Sequence, residues 1–165
     1  MSLRPLLLVV FSAVACRTLA AQELPHDPLR IQIDGRDTVL AASDLASLPR
    51  ADLTIPGHEG TDRRFTGIPL RAVLERAGLD TAEVHGPDLA RALLIEARDG
   101  YRVAFGLTDL DSAITGRAFL LAFAENGEPL GERLGPWQLV VPGDLHARRS
   151  VRQVAVIRIL PAPKP

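Results

Sequence analysis

Arginines that follow a proline-glycine turn are the side chains of this chain best suited to chemistry. Arg148 and Arg149 stand a few residues after Pro142 and Gly143. Guanidinium groups, combined with the backbone N–H groups of such a turn, can hold a phosphate or another anion. The preferred interpretation is that Arg148 and Arg149 belong to a solvated loop that binds nothing, and anion binding by the Arg148 region is the alternative.

The histidines do not form a recognisable metal site. His58 lies in a glycine-rich loop and His146 follows the proline-glycine turn, so each could face a cleft. A site built from histidines needs about three convergent ligands, and neither an H-x-x-H nor an H-E-x-x-H spacing occurs. Both residues are better interpreted as ordinary polar loop residues, so no metal ligand is predicted. No G-x-S-x-G, phosphate-binding-loop or dinucleotide motif is present either.

Length and charge limit the function classes. The chain has 165 residues, with 19 lysines and arginines against 20 aspartates and glutamates. This length is enough for one domain with a real core. The balanced charge argues against nucleic acid or an anionic membrane surface as a partner. The single cysteine, Cys16, lies near the N-terminus, so the chain can form no disulfide of its own.

The first 21 residues have the pattern of a secretion signal. Arg4 provides the positive charge, residues 6–15 form a short apolar run, and residues 18–21 (TLAA) offer small residues for cleavage. The apolar run is too short for a transmembrane span. We therefore predict an exported, periplasmic protein with a signal peptide over residues 1–21. A lipoprotein anchored through Cys16 is the alternative.

Alternating apolar residues and turn signals predict a mainly β domain over residues 29–160, with a polar linker at 22–28 and a tail at 161–165. A hairpin over residues 29–40 opens the domain. Further strands are expected at 51–55, 63–66, 92–97, 101–105, 119–124, 137–141 and 152–160. The expected fold class is therefore α+β, a single domain with a mainly β core and a few short helices.

The helical signals are fewer. Residues 68–78 (IPLRAVLERAG) form the best helix, with Pro69 in its first turn and Gly78 at its end. A short helix capped by Ser43 is expected before Pro49, and a helical turn is expected within residues 109–113.

Several motifs occur in an order that resembles one known family. Residues 65–78 begin with FTGIPL and end with AG, residues 98–101 read RDGY, residues 126–130 read NGEPL, and residues 135–144 read GPWQLVVPGD. This order is similar to that of the sulfite-oxidase-like molybdopterin-binding oxidoreductase domain, above all in its small, secreted, stand-alone members. The resemblance covers residues 29–160 and implies a sulfite-oxidase-type fold.

The resemblance implies molybdopterin as the cofactor. Asp99, Arg148 and, with a one-residue offset, Arg152 match positions that hold the pterin or its phosphate in the family. Asp99 can also be a plain turn residue of an Asp-Gly hairpin. Sulfite oxidases further hold molybdenum through a cysteine thiolate, a soft ligand that suits this metal. The corresponding loop, residues 53–58 (LTIPGH), has no cysteine, and the family's pterin-contacting histidine aligns with Leu134.

Two aromatic residues of the resembling segments are assigned to packing. Tyr101 could present its hydroxyl to a cleft, but packing across neighbouring strands is the preferred role. Trp137, beside Pro136, is expected to anchor the core.

The sequence thus predicts an exported molybdopterin-binding oxidoreductase-type domain that is not a competent sulfite oxidase, because the thiolate ligand is absent. The alternative is a non-catalytic periplasmic module that binds a small anion or a protein partner. A third interpretation, an envelope accessory subunit without a ligand, would require a large apolar patch. A cofactor site further requires that Asp99, Arg148 and the loop at residues 55–58 line one cleft. Whether the chain is an enzyme stays open.

Overall fold

The computed structural model describes residues 22–57, 60–81, 84–144 and 147–163. The predicted signal peptide, with Cys16, lies outside these residues. The described chain forms ten strands in two sheets and three short α-helices, which confirms the prediction of an α+β fold with a mainly β core. Residues 22–28, predicted as a linker, form neither helix nor strand, and Leu24 within them is buried.

The first sheet brings the two ends of the domain together. Its order is β2-β1-β10-β5-β6. The pair β1 and β10 is parallel, and the other pairs are antiparallel. The five strands are β1 (Leu29–Ile33), β2 (Arg36–Leu40), β5 (Ala92–Ala97), β6 (Arg102–Gly106) and β10 (Val154–Leu160).

The second sheet has the order β3-β4-β7-β8, and β9 pairs with β7 as well. All of its strand pairs are antiparallel. The strands are β3 (Ala51–Pro56), β4 (Asp62–Pro69), β7 (Leu120–Glu125), β8 (Glu128–Pro129) and β9 (Gln138–Val140).

Two hairpin turns have the backbone that their residues favour, although the first, predicted at residues 35–37, lies one residue earlier because β2 already begins at Arg36. Asp34 and Gly35, between β1 and β2, have φ values of 50° and 82°. Asn126 and Gly127, between β7 and β8, have values of 51° and 89°. Two successive residues with positive φ match the twist of a two-residue hairpin, and Asp-Gly or Asn-Gly adopts this conformation at low cost.

The α-helices are α1 (Ala42–Leu45), α2 (Leu70–Arg76) and α3 (Ser112–Thr115). Helix α2 begins two residues later than predicted, because Ile68 and Pro69 still belong to β4. Its buried face consists of Leu70, Val73 and Leu74, as the apolar spacing predicted. Gly78 follows its end with a φ of 98°, a conformation that suits glycine.

The prediction that Ser43 caps the first short helix is wrong. Helix α1 begins at Ala42, and the Asp44 carboxylate accepts the backbone N–H of Ala41 at 2.9 Å. An acidic residue at the third helical position therefore accepts the backbone N–H of the N-cap residue Ala41, and no side chain caps the helix in the way that Ser43 was expected to do. The helical turn expected within residues 109–113 is divided between a 3₁₀ helix, Leu107–Leu110, and α3.

The main core joins both sheets and α2. Trp137 is only 1% exposed, and its ring meets that of Phe123 edge to face with centroids 6.3 Å apart. Its indole N–H donates to the Asp27 carbonyl oxygen at 3.1 Å. Trp137 is thus a core anchor, as predicted, and it also fixes the chain segment that leads into β1.

Candidate functional site

A cavity of about 260 Å³ opens between the β5–β6 hairpin and the loop that precedes β10. The hairpin contributes the small Ala97 and the polar Asp99 and Tyr101. The loop contributes the small Ala147 and the polar side chains Arg148, Ser150 and Arg152. The structure therefore brings together, in one cavity, all three residues that the family resemblance had singled out.

The cavity is positively charged. Arg148 and Arg152 supply two guanidinium groups against the single carboxylate of Asp99. Within the described residues, neither guanidinium has a hydrogen bond or an ion pair. The next residue, Arg149, is different, because it is tied to Asp144. Arg148 and Arg152 are therefore exposed cations that an anion could reach.

Asp99 and Tyr101 form the opposite wall. The Asp99 Oδ1 atom accepts the backbone N–H of Tyr101 at 2.9 Å. The Tyr101 hydroxyl donates to the backbone carbonyl oxygen of Arg148 at 2.6 Å, and its side chain is 48% exposed. The preferred prediction that Tyr101 packs across strands is wrong. Tyr101 directly precedes β6, lines the cavity and is held there by the bond from its hydroxyl.

Backbone pairing fixes the loop on the side of Arg152. Val151 pairs with Leu139 through N–H···O bonds of 2.8 and 3.0 Å. The N–H of Gln153 donates to the Leu134 carbonyl oxygen at 2.9 Å. Leu134 thus contributes its backbone to the position of the loop.

An ion pair closes the start of the same loop. Asp144 lies between Arg149 and Arg117, whose Nη1 atom is 3.4 Å from the Asp144 Oδ1 atom. The hydrogen bond from Arg149, together with the nearby positive charges, holds the pKa of Asp144 below its usual value. Arg149 also lies 5.4 Å from the ring centroid of Phe105. Asp144 therefore forms ion pairs with Arg149 and Arg117, whereas Arg148 and Arg152 stay available to an anion.

The expectation that residues 55–58 line the same cleft as Asp99 and Arg148 is not met by the described residues of this loop, so the condition set above for a cofactor site fails at the metal-ligand loop, and the cavity retains only the anion-binding part of such a site. Among the described residues of this loop, Ile55, Pro56 and Gly57, none lines the cavity. Strands β3 and β4 instead form a hairpin, which the N–H of Gly57 closes on the Thr61 carbonyl oxygen at 2.9 Å. His58 and His146, considered as minor candidates for metal ligands, lie outside the described residues.

A larger cavity, of about 390 Å³, lies beside the β1–β2 turn. Its one arginine, Arg91, donates to both carboxylate oxygens of Asp34, at 2.8 and 2.9 Å. Arg91 also lies 3.5 Å from a carboxylate oxygen of Asp88. Two carboxylates already neutralise this guanidinium, so the cavity offers no comparable anion site.

Sequence reasoning missed Ser150 in the first cavity, and it considered a cleft role for Tyr101 but preferred packing. Ser150 follows the arginines without any motif of its own, and its Oγ atom accepts the N–H of Val141 at 3.2 Å. The role of Tyr101 depends on a partner 47 residues away in the chain. Only the DGY tripeptide next to Asp99 could have pointed to Tyr101.

The fold and the site define a two-sheet α+β domain with an arginine-lined cavity at one end of the first sheet. The sequence model of the family called oxidoreductase molybdopterin binding domain matches residues 53–165, and the chain belongs to this sulfite-oxidase-like family. No curated protein matches the chain. The match extends from β3 to the C-terminal end of the sequence, so it includes both walls of the cavity.

The cavity fits one part of the family's cofactor and not the other. Two free guanidinium groups and a serine hydroxyl suit the phosphate of molybdopterin. A thiolate for molybdenum is missing, because the only cysteine of the sequence is Cys16. In the part of the chain that the structure describes, no three histidine, cysteine or acidic side chains are placed to hold a metal ion. No helix there is long and apolar enough to cross a membrane.

Proposed function

We propose that this chain is an exported binding domain of the molybdopterin family that holds a phosphate-bearing ligand between Arg148 and Arg152. It does not oxidise sulfite. The observation that carries the proposal is that one cavity contains two guanidinium groups with no partner among the described residues, while the neighbouring Arg149 is paired with Asp144. Such a cavity selects an anion by charge and by the fork geometry of its donors.

Each wall of the cavity has a distinct task in this proposal. Arg148 and Arg152 donate to the phosphate oxygens, and the Ser150 hydroxyl supplies a third donor. Asp99 keeps its Oδ2 atom free to accept an N–H of the pterin ring, because its Oδ1 atom already accepts the N–H of Tyr101. Molybdopterin, when bound, supplies the dithiolene sulfurs for a metal. The protein's own thiolate is absent, so the domain lacks the ligand on which sulfite oxidation depends in this family.

Export rests on the N-terminal pattern. The positive charge of Arg4, the apolar run at residues 6–15 and the small residues at 18–21 are the three parts of a secretion signal. We propose the periplasm as the location, with a protein of the cell envelope as the partner.

Phosphate binding is the direct test. The protein purified after expression of the full chain is titrated with inorganic phosphate by calorimetry or by the Arg Nε–H signals in nuclear magnetic resonance spectra. Arg148→Ala and Arg152→Ala should each weaken binding about tenfold, since a hydrogen bond to a charged group contributes roughly 1.5–3 kcal/mol, less where solvent reaches it.

The matched control is Arg30→Ala. Arg30 is an exposed arginine on β1 outside the cavity, so its removal subtracts the same charge without touching the site. Equal weakening by Arg30→Ala and Arg148→Ala would show a general charge effect and would overturn the proposal. Absence of phosphate binding by the unmodified protein would overturn it as well.

The second test concerns the cofactor itself. Protein purified from the envelope of its own host is analysed for molybdenum and for the fluorescent oxidation product of the pterin. Pterin without an equivalent amount of molybdenum agrees with the proposal. Stoichiometric molybdenum together with sulfite oxidation would contradict it.

A second candidate function is a metal-free module that binds a small anion only. The observation that favours it is the separation of the arginine-lined cavity from residues 55–57, which stand where the family's metal-ligand loop begins. Phosphate binding that depends on Arg148, with neither pterin nor molybdenum in host-purified protein, would favour this candidate over the first.

A further inference from the structure

Tyr101 connects the two walls of the arginine-lined cavity. Its hydroxyl reaches the carbonyl oxygen of Arg148 at 2.6 Å, and its backbone N–H reaches the Asp99 carboxylate at 2.9 Å. Its ring is half exposed and is not a member of the buried core. The hydroxyl therefore contributes little to packing, but it is placed to determine where the backbone of Arg148 lies.

The two arginines differ in how their backbone is held. Arg152 stands between Val151 and Gln153, which are both hydrogen-bonded to the β9 region at distances of 2.8–3.0 Å. Arg148 lies in the 3₁₀ turn Ala147–Arg149, whose own backbone bond is local, from the Ser150 N–H to the Ala147 carbonyl oxygen at 3.1 Å. The side chains of Arg149 and Asp144 contact Phe105 and Arg117 outside the loop, but these contacts do not involve the backbone of Arg148. In the described residues, the bond that ties the Arg148 backbone to another element is the one from Tyr101.

We infer that Tyr101 is a positioning residue for anion binding: its hydroxyl fixes the Arg148 backbone, so that the Arg148 guanidinium faces the same anion as Arg152. This inference rests on the proposed anion-binding function and adds to it a residue that contacts no ligand. Without the hydroxyl, the backbone of Arg148 loses its direct bond to the hairpin, although the Arg149 side chain still contacts Phe105, while Arg152 stays where it is. The loss of anion affinity then comes from Arg148 alone.

Tyr101→Phe tests this, because it removes only the hydroxyl and keeps the half-exposed ring. Binding of inorganic phosphate should weaken about three- to tenfold, the range expected for the net contribution of one hydrogen bond. In a double-mutant cycle, Tyr101→Phe should add little to Arg148→Ala, since the group that it positions is already gone. Combined with Arg152→Ala, its effect should multiply nearly in full.

A purely structural role would give another pattern, in which Tyr101→Phe weakens binding equally in the Arg148→Ala and Arg152→Ala backgrounds. That result would overturn the inference, as would unchanged phosphate affinity in Tyr101→Phe. If the unmodified protein binds phosphate and Arg148→Ala weakens that binding, the proposed function stands whatever Tyr101→Phe does. If the unmodified protein does not bind phosphate, both fall together.

A measurement without substitution of Tyr101 is available, because the chain has one tyrosine. Protein labelled with 3-fluorotyrosine gives a ¹⁹F signal from this site alone. Saturation with phosphate should shift that signal in the unmodified protein and in Arg30→Ala, and the shift should be lost in Arg148→Ala. If calorimetry shows phosphate binding but the ¹⁹F signal does not shift, Tyr101 is not coupled to the anion site, and the inference is refuted.

Discussion

Replacement of Gly67 by alanine tests the packing of the motif at residues 65–70. Gly67 lies in β4, opposite Ala51 of β3 and Ala122 of β7. A Cβ atom added there would lie 2.4 Å from the Leu121 carbonyl oxygen, 2.7 Å from the Ala122 Cα atom and 2.8 Å from the Leu120 Cγ atom. Two of these three are backbone atoms of the neighbouring strand. They cannot withdraw without lengthening the hydrogen bonds between β4 and β7.

The magnitude follows from these contacts. Overpacking costs about 1–3 kcal/mol, and contact with backbone places Gly67→Ala at the upper end. The loss of unfolded-state entropy from glycine to alanine offsets roughly 0.4–1 kcal/mol. The net loss in the free energy of unfolding is therefore about 2–3 kcal/mol, which corresponds to a Tm lower by roughly 4–12 °C in a protein of this size.

Thermal and urea unfolding, followed by circular dichroism and by the fluorescence of the single, buried Trp137, measure this loss. Gly131→Ala is the matched control, because a Cβ at Gly131 meets no atom within 4 Å and its φ is not positive. It should leave stability unchanged or raise it slightly. Equal Tm values for Gly67→Ala and the unmodified protein would refute the reasoning, since they would mean that β4 and β7 are not held at this spacing.

Three further predictions concern other parts of the molecule. Asp144→Asn should lower the free energy of unfolding by about 1–2 kcal/mol at pH 7, because it leaves Arg149 without its partner. The pKa of Asp144 is lowered in the folded protein, so this contribution is complete above the unfolded-state pKa of about 3.9 and is lost as the pH falls through the folded-state pKa. The urea midpoints of the unmodified protein and of Asp144→Asn should therefore converge in acid. A difference between the two midpoints that stays constant with pH would contradict the assignment. Trp137→Phe should cost about 2 kcal/mol in urea unfolding, through lost volume and the lost bond to the Asp27 carbonyl oxygen, and an unchanged midpoint would show that Trp137 is no anchor. The intact mass of exported protein should correspond to cleavage near residue 21, and a lipid-modified product that begins at Cys16 would replace that prediction with the lipoprotein alternative.

Local patterns were enough for the hairpins and for α2. The dipeptides Asp34-Gly35 and Asn126-Gly127 fix their turns because the conformation depends on two adjacent residues and not on the rest of the fold. The start of α1 was misplaced for a related reason. Ser43 and Asp44 are both good partners for free backbone N–H groups at a helix start, and only the structure shows that Asp44 is used.

Contacts between distant parts of the chain were out of reach of such patterns. The parallel pairing of β1 with β10 joins residues more than a hundred positions apart, and no periodicity encodes it. The bond from Tyr101 to the Arg148 carbonyl oxygen depends on a second distant pairing, that of β5 with β10, which brings the β5–β6 hairpin to the loop that precedes β10. The family resemblance supplied what local patterns could not, since it named Asp99, Arg148 and Arg152 as members of one site.

Backbone pairing closes the loop in which the thiolate ligand is absent. β3 continues into β4 through a short hairpin in which the N–H of Gly57 bonds to the Thr61 carbonyl oxygen. A Cβ atom at Gly57 would lie 2.3 Å from that oxygen, so no larger side chain fits while the hairpin stays closed. A metal-binding side chain at position 57 would therefore require more than a substitution, because the β3–β4 hairpin would also have to open. The arginine-lined cavity is formed by other elements and does not depend on this hairpin, so the anion site can persist where the metal ligand does not.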